Sequence, residues 1–189
     1  MMFMQWRNTA DSYGSLAKFL HWSLVILIIA QYFIAESADE LPDGLEKLSL
    51  ITWHKSFGML VLILALLRIG WRLANRGAPA PVAMPRPQLL AAAAGHGLLY
   101  LLILAQPLTG WAMSSAANYP VTLFGWFQFP ALVGANHDLH EILEEVHEAT
   151  FYALVVVATL HAVAAIYHHV WMKDDALRRM LPFATRRRS

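Results

Sequence analysis

The chain has 189 residues, 58% of them hydrophobic and only 14% charged, with a formal net charge of +1. A soluble domain carries about 25% charged residues, so this composition belongs in a lipid bilayer. The sequence has no cysteine, which excludes disulfides, cysteine-held iron–sulfur clusters and the Cys-x-x-Cys-His attachment of c-type haem.

Four apolar runs, at about 16–35, 50–72, 91–114 and 146–171, are long enough to span a bilayer as helices. The first has little basic flank and no small-residue cleavage site, and reads as a retained helix rather than a signal peptide. The connector after it, 36–49, is acidic and holds the turn signal Pro42-Asp43-Gly44. The second connector, 73–90, is basic and contains Pro79, Pro81, Pro85 and Pro87, the composition of an extended surface segment. The third, roughly 115–145, carries Asn118-Tyr119-Pro120, then Phe124, Trp126, Phe127 and Phe129, which read as an interfacial aromatic belt. Its end, 137–145, is expected as a short helix leading into the fourth span. No internal repeat is present. The expected architecture is all-α, a single integral-membrane four-helix bundle over residues 1–189.

Charge distribution sets the expected orientation. With an even number of spans, both termini share a side. That side holds Arg7, Lys18, Arg68, Arg72, Arg76, Arg86, Lys173, Arg178, Arg179, Arg186, Arg187 and Arg188; the other holds only Lys47 and Lys55. Lysine and arginine concentrate in the cytoplasm, so both termini are expected there, in a bacterial inner membrane. The terminal Arg186-Arg187-Arg188 reads as a topology determinant or an anionic-lipid contact. The outer face carries ten of the thirteen acidic residues, in 36–46 and 138–148.

Four histidines lie in apolar stretches: His21, His54, His147 and His161. Imidazole is costly in lipid without a partner, so each is a functional candidate. His147 and His161 are 14 residues apart, close to four helical turns, so they leave one helix face at a rise of roughly 21 Å. Depth pairs His54 with His147 toward the outside and His21 with His161 toward the inside. Facing histidines from different helices suit six-coordinate haem iron, and an apolar bundle suits the porphyrin. Arg68 lies 14 residues after His54 and is a candidate partner for the inner haem's propionates; Lys55 is the candidate at the outer haem. Gly58 and Gly110 allow close approach, either of a macrocycle or of a neighbouring helix.

A zinc site is the rival reading, but it wants three or four converging ligands, often with cysteine or carboxylate. His137 and His140, one turn apart at the outer surface, read as solvated residues ahead of a weak metal site. His96 and His168, with Arg72, form a candidate quinone pocket beside the inner haem; the plainer reading is that they reach headgroups and water. His169 points about 100° away, toward the lipid interface.

In order along the chain, Leu20-His21-Trp22, Trp53-His54-Lys55-Ser56-Phe57-Gly58 with Arg68, Gly95-His96-Gly97-Leu98-Leu99-Tyr100, His147-Glu148 with His161, and His168-His169 followed by Lys173-Asp174-Asp175, Leu177, Arg178-Arg179-Met180 and Pro182 form a specific set. The chain resembles the bacterial cytochrome b-561 family over nearly its whole length. The resemblance implies two b-type haems on the same four histidines and electron transfer through the inner membrane, with ubiquinone as a partner. One branch of that family resembles a superoxide oxidase, passing electrons from superoxide outside to ubiquinone. A third expectation is a haem-bearing anchor subunit of a larger oxidoreductase. The acidic outer face opposes attraction of an anion and suits a basic periplasmic electron donor or acceptor instead. Membrane lipids and quinone are the expected partners, and nucleic acid is not.

Overall fold

A computed structural model describes residues 5–9, 12–75 and 85–182. Arg76, Pro79, Pro81 and the terminal Arg186, Arg187 and Arg188 lie outside the described residues. Four long helices dominate: α1 Ser15–Asp39, α2 Leu45–Ala74, α3 Arg86–Ala116 and α4 His137–Val170. A short hairpin, β1 Val121–Leu123 and β2 Phe127–Phe129, and a final turn of helix, α5 Ala176–Met180, complete the element order. Each long helix is apolar and long enough to cross a membrane. In lipid the backbone must satisfy its own polar groups, and a helix does so within one segment.

α1, α2 and α3 outrun the expected apolar spans at both ends, and α4 does so at its start. α1 to α4 have 25, 30, 31 and 34 residues, whereas about 20 residues cross a hydrocarbon core. The largest difference is α4. The expected short helix at 137–145 is its first turns, continuous with the fourth span. Asn136 starts it, its side-chain oxygen accepting from the Leu139 N–H at 2.9 Å, and Asp138 sits in the first turn where the helix dipole favours negative charge. At the other end of the bundle, Gly14 precedes α1 where residues 5–9 cross over it. A Cβ there would collide with the Trp6 carbonyl, and the Gly14 N–H donates to Asn8 Oδ1 at 2.9 Å.

The aromatic segment of the third connector folds as the hairpin, an addition to the expected all-helical architecture. The register pairs Val121 with Phe129, Thr122 with Gln128 and Leu123 with Phe127. Phe124 and Gly125 at the turn both have positive φ (52° and 75°), and Trp126 N–H donates to Leu123 O, as in a type I′ turn. Ser56 of α2 pins this cap. Its side chain, 1% exposed, donates to Thr122 O at 2.9 Å and accepts from the Phe124 N–H at 3.2 Å. Val121 packs with Met59 and Leu62, and Phe124 sits against the rings of Trp53 and Phe57.

α1 packs on α2, α2 on α3, and α3 on α4. A small core forms between them from Leu24, Val61 and Ala65 with Ile28 and Ile103. Between α1 and α4, Tyr32 stacks on Phe151 at 5.8 Å and 4° between planes. Outward faces carry exposed large apolar residues such as Phe19, Ile29, Leu66, Leu101 and Leu160; these are the lipid-facing surface, since a bilayer removes the penalty that water would impose.

Candidate functional site

Antiparallel packing brings histidines into two tiers. His54 stands nine residues into α2 and His147 ten into α4, so both lie at a similar depth below the hairpin end. Their rings face each other with centroids 6.3 Å apart and planes at 83°. Two metal–imidazole bonds of about 2 Å each set ring centres on the order of 6 Å apart, so this separation suits the two axial positions of one iron.

The residues around this pair also fit a macrocyclic iron group. His54 Nδ1 is buried with no hydrogen-bond partner among the described residues, an uncommon state for a buried polar atom. Gly110 of α3 borders His147 closely: a Cβ there would stand 2.9 Å from Cε1 of the ring. Among the described residues no three His, Cys, Asp or Glu side chains converge on one point. The donors are paired imidazoles, which match axial haem ligation and not a tetrahedral zinc site.

His147 is held by residues that the sequence reading did not single out. Its Nε2 lies 3.1 Å from Gln106 Nε2, and its Nδ1 lies 3.1 Å from Thr109 Oγ1. Thr150 Oγ1 donates to Gln106 Oε1 at 2.6 Å. Gln31 of α1 is a further addition: its amide nitrogen donates to His54 O at 2.9 Å, while its Oε1 is buried without a partner. Gly58 serves that approach, since a Cβ there would lie 3.3 Å from Gln31 Nε2; the close-packing reading of this glycine describes its surroundings. The signal for Gln106, Thr109 and Gly110 was their spacing at i, i+3 and i+4, a polar stripe on one face of an apolar helix. Lys55 places its ammonium 5.1 Å from the centre of the Tyr119 ring, at the hairpin end, and its charge reaches His54.

The second tier lies toward the terminal end. His161 of α4 and His96 of α3 meet there with ring centres 5.1 Å apart, and the His21 ring of α1 stands edge-on to Trp22 at 5.4 Å. Arg68 of α2 reaches across to α1, its Nη1 donating to Ala17 O at 2.9 Å. Its position 14 residues after His54 sets it about four turns deeper on α2, toward the terminal end. Arg72, one turn further, lies over the Tyr100 ring with 5.7 Å to its centre. The structure thus brings His96 to the tier. His168 instead turns to the chain's end, with Nδ1 2.6 Å from Asp174 Oδ2. Trp22 fastens the same end, donating to Met180 O at 2.9 Å.

Of the histidines at the hairpin end, His137 is exposed, whereas His140 is partly covered, with Nδ1 3.2 Å from Met113 O of α3. His137 Nε2 lies 3.4 Å from Glu141 and His140 Nε2 4.0 Å from Glu144, both one turn on. Glu36, Asp39, Glu40, Asp43 and Glu46 gather at this end of the bundle with Asp138, Glu141, Glu144, Glu145 and Glu148.

The family model described as prokaryotic cytochrome b561 matches residues 12–183. Cytochrome b561 homolog 2 of Escherichia coli K12 is 32% identical over 181 residues, covering 94% of this chain and 95% of that protein. The probable superoxide oxidase CybB of Yersinia pestis is 33% identical over 177 residues, covering 90% and 96%. Cytochrome b562 of Cereibacter sphaeroides is 29% identical over 177 residues, covering 89% and 94%. Four apolar helices, paired intramembrane imidazoles and a family match along nearly the whole chain lead to one conclusion: this protein belongs to the prokaryotic cytochrome b561 family, multi-pass bacterial membrane proteins that carry electrons on b-type haem.

Proposed function

We propose that the chain holds two b haems, one between His54 and His147 and one between His21 and His161, and passes electrons between a quinone at the terminal end and a partner at the hairpin end. The observation that carries this reading is the imidazole pair from α2 and α4 at 6.3 Å; one tier deeper His161 of α4 lies beside His96 at 5.1 Å, and His21 of α1 is the residue assigned to complete that site. Each haem, when bound, supplies a one-electron iron couple. The protein's own residues do the rest. Two histidines per iron leave no open coordination position, so substrates meet a haem edge and not the metal. Arg68 offers a cation to the inner haem's propionates, and Lys55 does so at the outer one. The apolar helices keep water from both tiers. His96 and Arg72 give the inner tier polar groups where a quinone's carbonyl oxygens need donors, and His168 with Asp174 lies at the boundary where protons enter.

In this reading the terminal end faces the cytoplasm, because the Lys and Arg excess lies there, and the membrane is the bacterial inner membrane. The acidic hairpin end suits a basic periplasmic electron carrier. A second reading, superoxide:ubiquinone oxidoreductase, is favoured by the similarity to the probable superoxide oxidase of Yersinia pestis. Two superoxide ions would each give one electron at the hairpin end and leave as dioxygen, and one quinone would take both electrons with two protons. The acidic surface slows that encounter. A redox titration of the purified protein, with quinol and superoxide as competing donors, tests both readings. Two haems per chain by pyridine haemochrome, reduced by quinol, are the expected result. A count of one removes the two-tier reading, and haem reduction by superoxide with quinone turnover replaces the carrier by the oxidase. Co-purification of a stoichiometric catalytic subunit would point to an anchor role.

A further inference from the structure

Three polar side chains around His147 decide which of its ring nitrogens carries the proton. Thr109 Oγ1 lies 2.9 Å from Ala105 O and 3.0 Å from Gln106 O, both in its own helix. Carbonyl oxygens only accept, so the single hydroxyl proton of Thr109 is committed to them. Its remaining lone pairs accept, and the neighbour at 3.1 Å is His147 Nδ1. Nδ1 therefore carries the hydrogen and Nε2 carries the lone pair. Gln106 agrees. With a lone pair on His147 Nε2, the Gln106 side chain must present its NH2 group there, which turns its oxygen toward Thr150. The Thr150 hydroxyl lies 3.0 Å from His147 O and 2.6 Å from that Gln106 oxygen, and its one proton goes to the nearer acceptor. The opposite assignment would leave the Thr109 oxygen facing two carbonyl oxygens with no proton between them.

We propose that Thr109 is a positioning residue for the outer haem: it fixes His147 with Nδ1 protonated and Nε2 free for iron, and it keeps accepting the Nδ1–H bond in the loaded protein. This rests on the reading that His147 is an axial ligand. Gln106 holds the same lone pair that iron takes and so keeps the ring in place for it. A donated Nδ1–H bond raises the basicity of a ligand imidazole and favours the oxidised metal. His54, the facing ring, has no such partner on Nδ1. The outer site thus joins one strengthened and one unstrengthened ligand, and Thr109 tunes its potential.

The test compares Thr109→Val, which keeps the shape and removes the acceptor, with Thr109→Ser, which keeps the hydroxyl, in the haem-loaded full chain. Equilibrium redox titration and low-temperature electron paramagnetic resonance are the readouts. In Thr109→Val the haem count stays at two. At the ambient potential that half-reduces the wild-type outer haem, its reduced-to-oxidised ratio rises about two- to tenfold, the net worth of one hydrogen bond. The other haem does not change, and serine restores the wild-type value. Thr109→Ala gives the same comparison if valine crowds the ring. Unchanged potentials in both Thr109→Val and Thr109→Ala, or an equal shift in Thr109→Ser, would overturn the proposal. His147→Ala separates the two levels: loss of one haem there with silent Thr109 variants removes this inference alone, whereas retention of both haems removes the ligation reading beneath it.

Discussion

Replacing Gly110 with alanine should loosen one haem and leave the fold intact. The added Cβ would stand 2.9 Å from Cε1 and 3.3 Å from Nδ1 of His147, while carbon atoms pack at about 3.5–4.0 Å. The ring must retreat by roughly 0.6 Å or more. That retreat strains the side chain, at about 0.5–1.5 kcal/mol for a torsion ~30° from its well. It also weakens the bond from Nδ1 to Thr109, worth another 0.5–1.5 kcal/mol or so. Together these come to about 1–3 kcal/mol, a five- to 150-fold faster loss of the outer haem. The backbone effect has the opposite sign, since alanine favours a helix interior over glycine by about 1 kcal/mol. Helicity by circular dichroism should therefore hold or rise as haem affinity falls. The assay is transfer to excess apomyoglobin, with the residual haem counted as pyridine haemochrome. One haem should leave early and the other at the wild-type rate. Equal retention of both haems, or equal loss of both, would refute the placement of His147 against α3.

The histidine pairs make a matching prediction. Alanine at His54 or His147 should remove one haem and alanine at His21 or His161 the other, so that combining one change from each pair abolishes the Soret band. Arg68→Leu should weaken retention of the inner haem by about tenfold or more, the scale of a hydrogen bond to a charged group, with Arg68→Lys recovering part of it. An unaltered inner haem in Arg68→Leu would remove its propionate role. Ser56→Ala leaves the Phe124 N–H without its partner under the hairpin and should cost about 1–3 kcal/mol. Thermal unfolding and faster proteolysis of the hairpin would read this loss, with haem count unchanged.

Hydropathy and helical period made most of this architecture legible. An apolar run of bilayer length leaves little choice but a helix, and a spacing of 14 residues is near a whole number of turns. That arithmetic puts His147 and His161 on one face of α4, and the order of the spans puts His54 at the depth of His147. What escaped is local chemistry. The segment 121–129 is rich in aromatics, and its turn depends on positive φ at Phe124 and Gly125, which an interfacial aromatic cluster resembles in composition. Residues 137–145 read from sequence as a separate short helix; with Asn136 capping them they run unbroken into the fourth span. Gln106, Thr109 and Thr150 are unremarkable as residue types; only the contact of α3 with α4 shows that they surround one imidazole. His168 sat on the expected helix face, but the turn after α4 delivers Asp174 to it, a non-periodic event that no spacing announces.

The thin seam between α1 and α4 bears on how such a protein is made. On the proposed ligation, each iron ties the first helical pair to α4, through His21 in one case and His54 in the other. Without those rivets, the halves are joined by α2 against α3 and by the hairpin cap, while among the described residues the long edge opposite holds the Tyr32–Phe151 stack and the Trp22 bond to Met180 O. A cell short of haem would then insert the polypeptide but leave it gaping along that edge, exposed to membrane proteases. Cofactor supply would thereby govern how much of the protein survives, before any electron has moved.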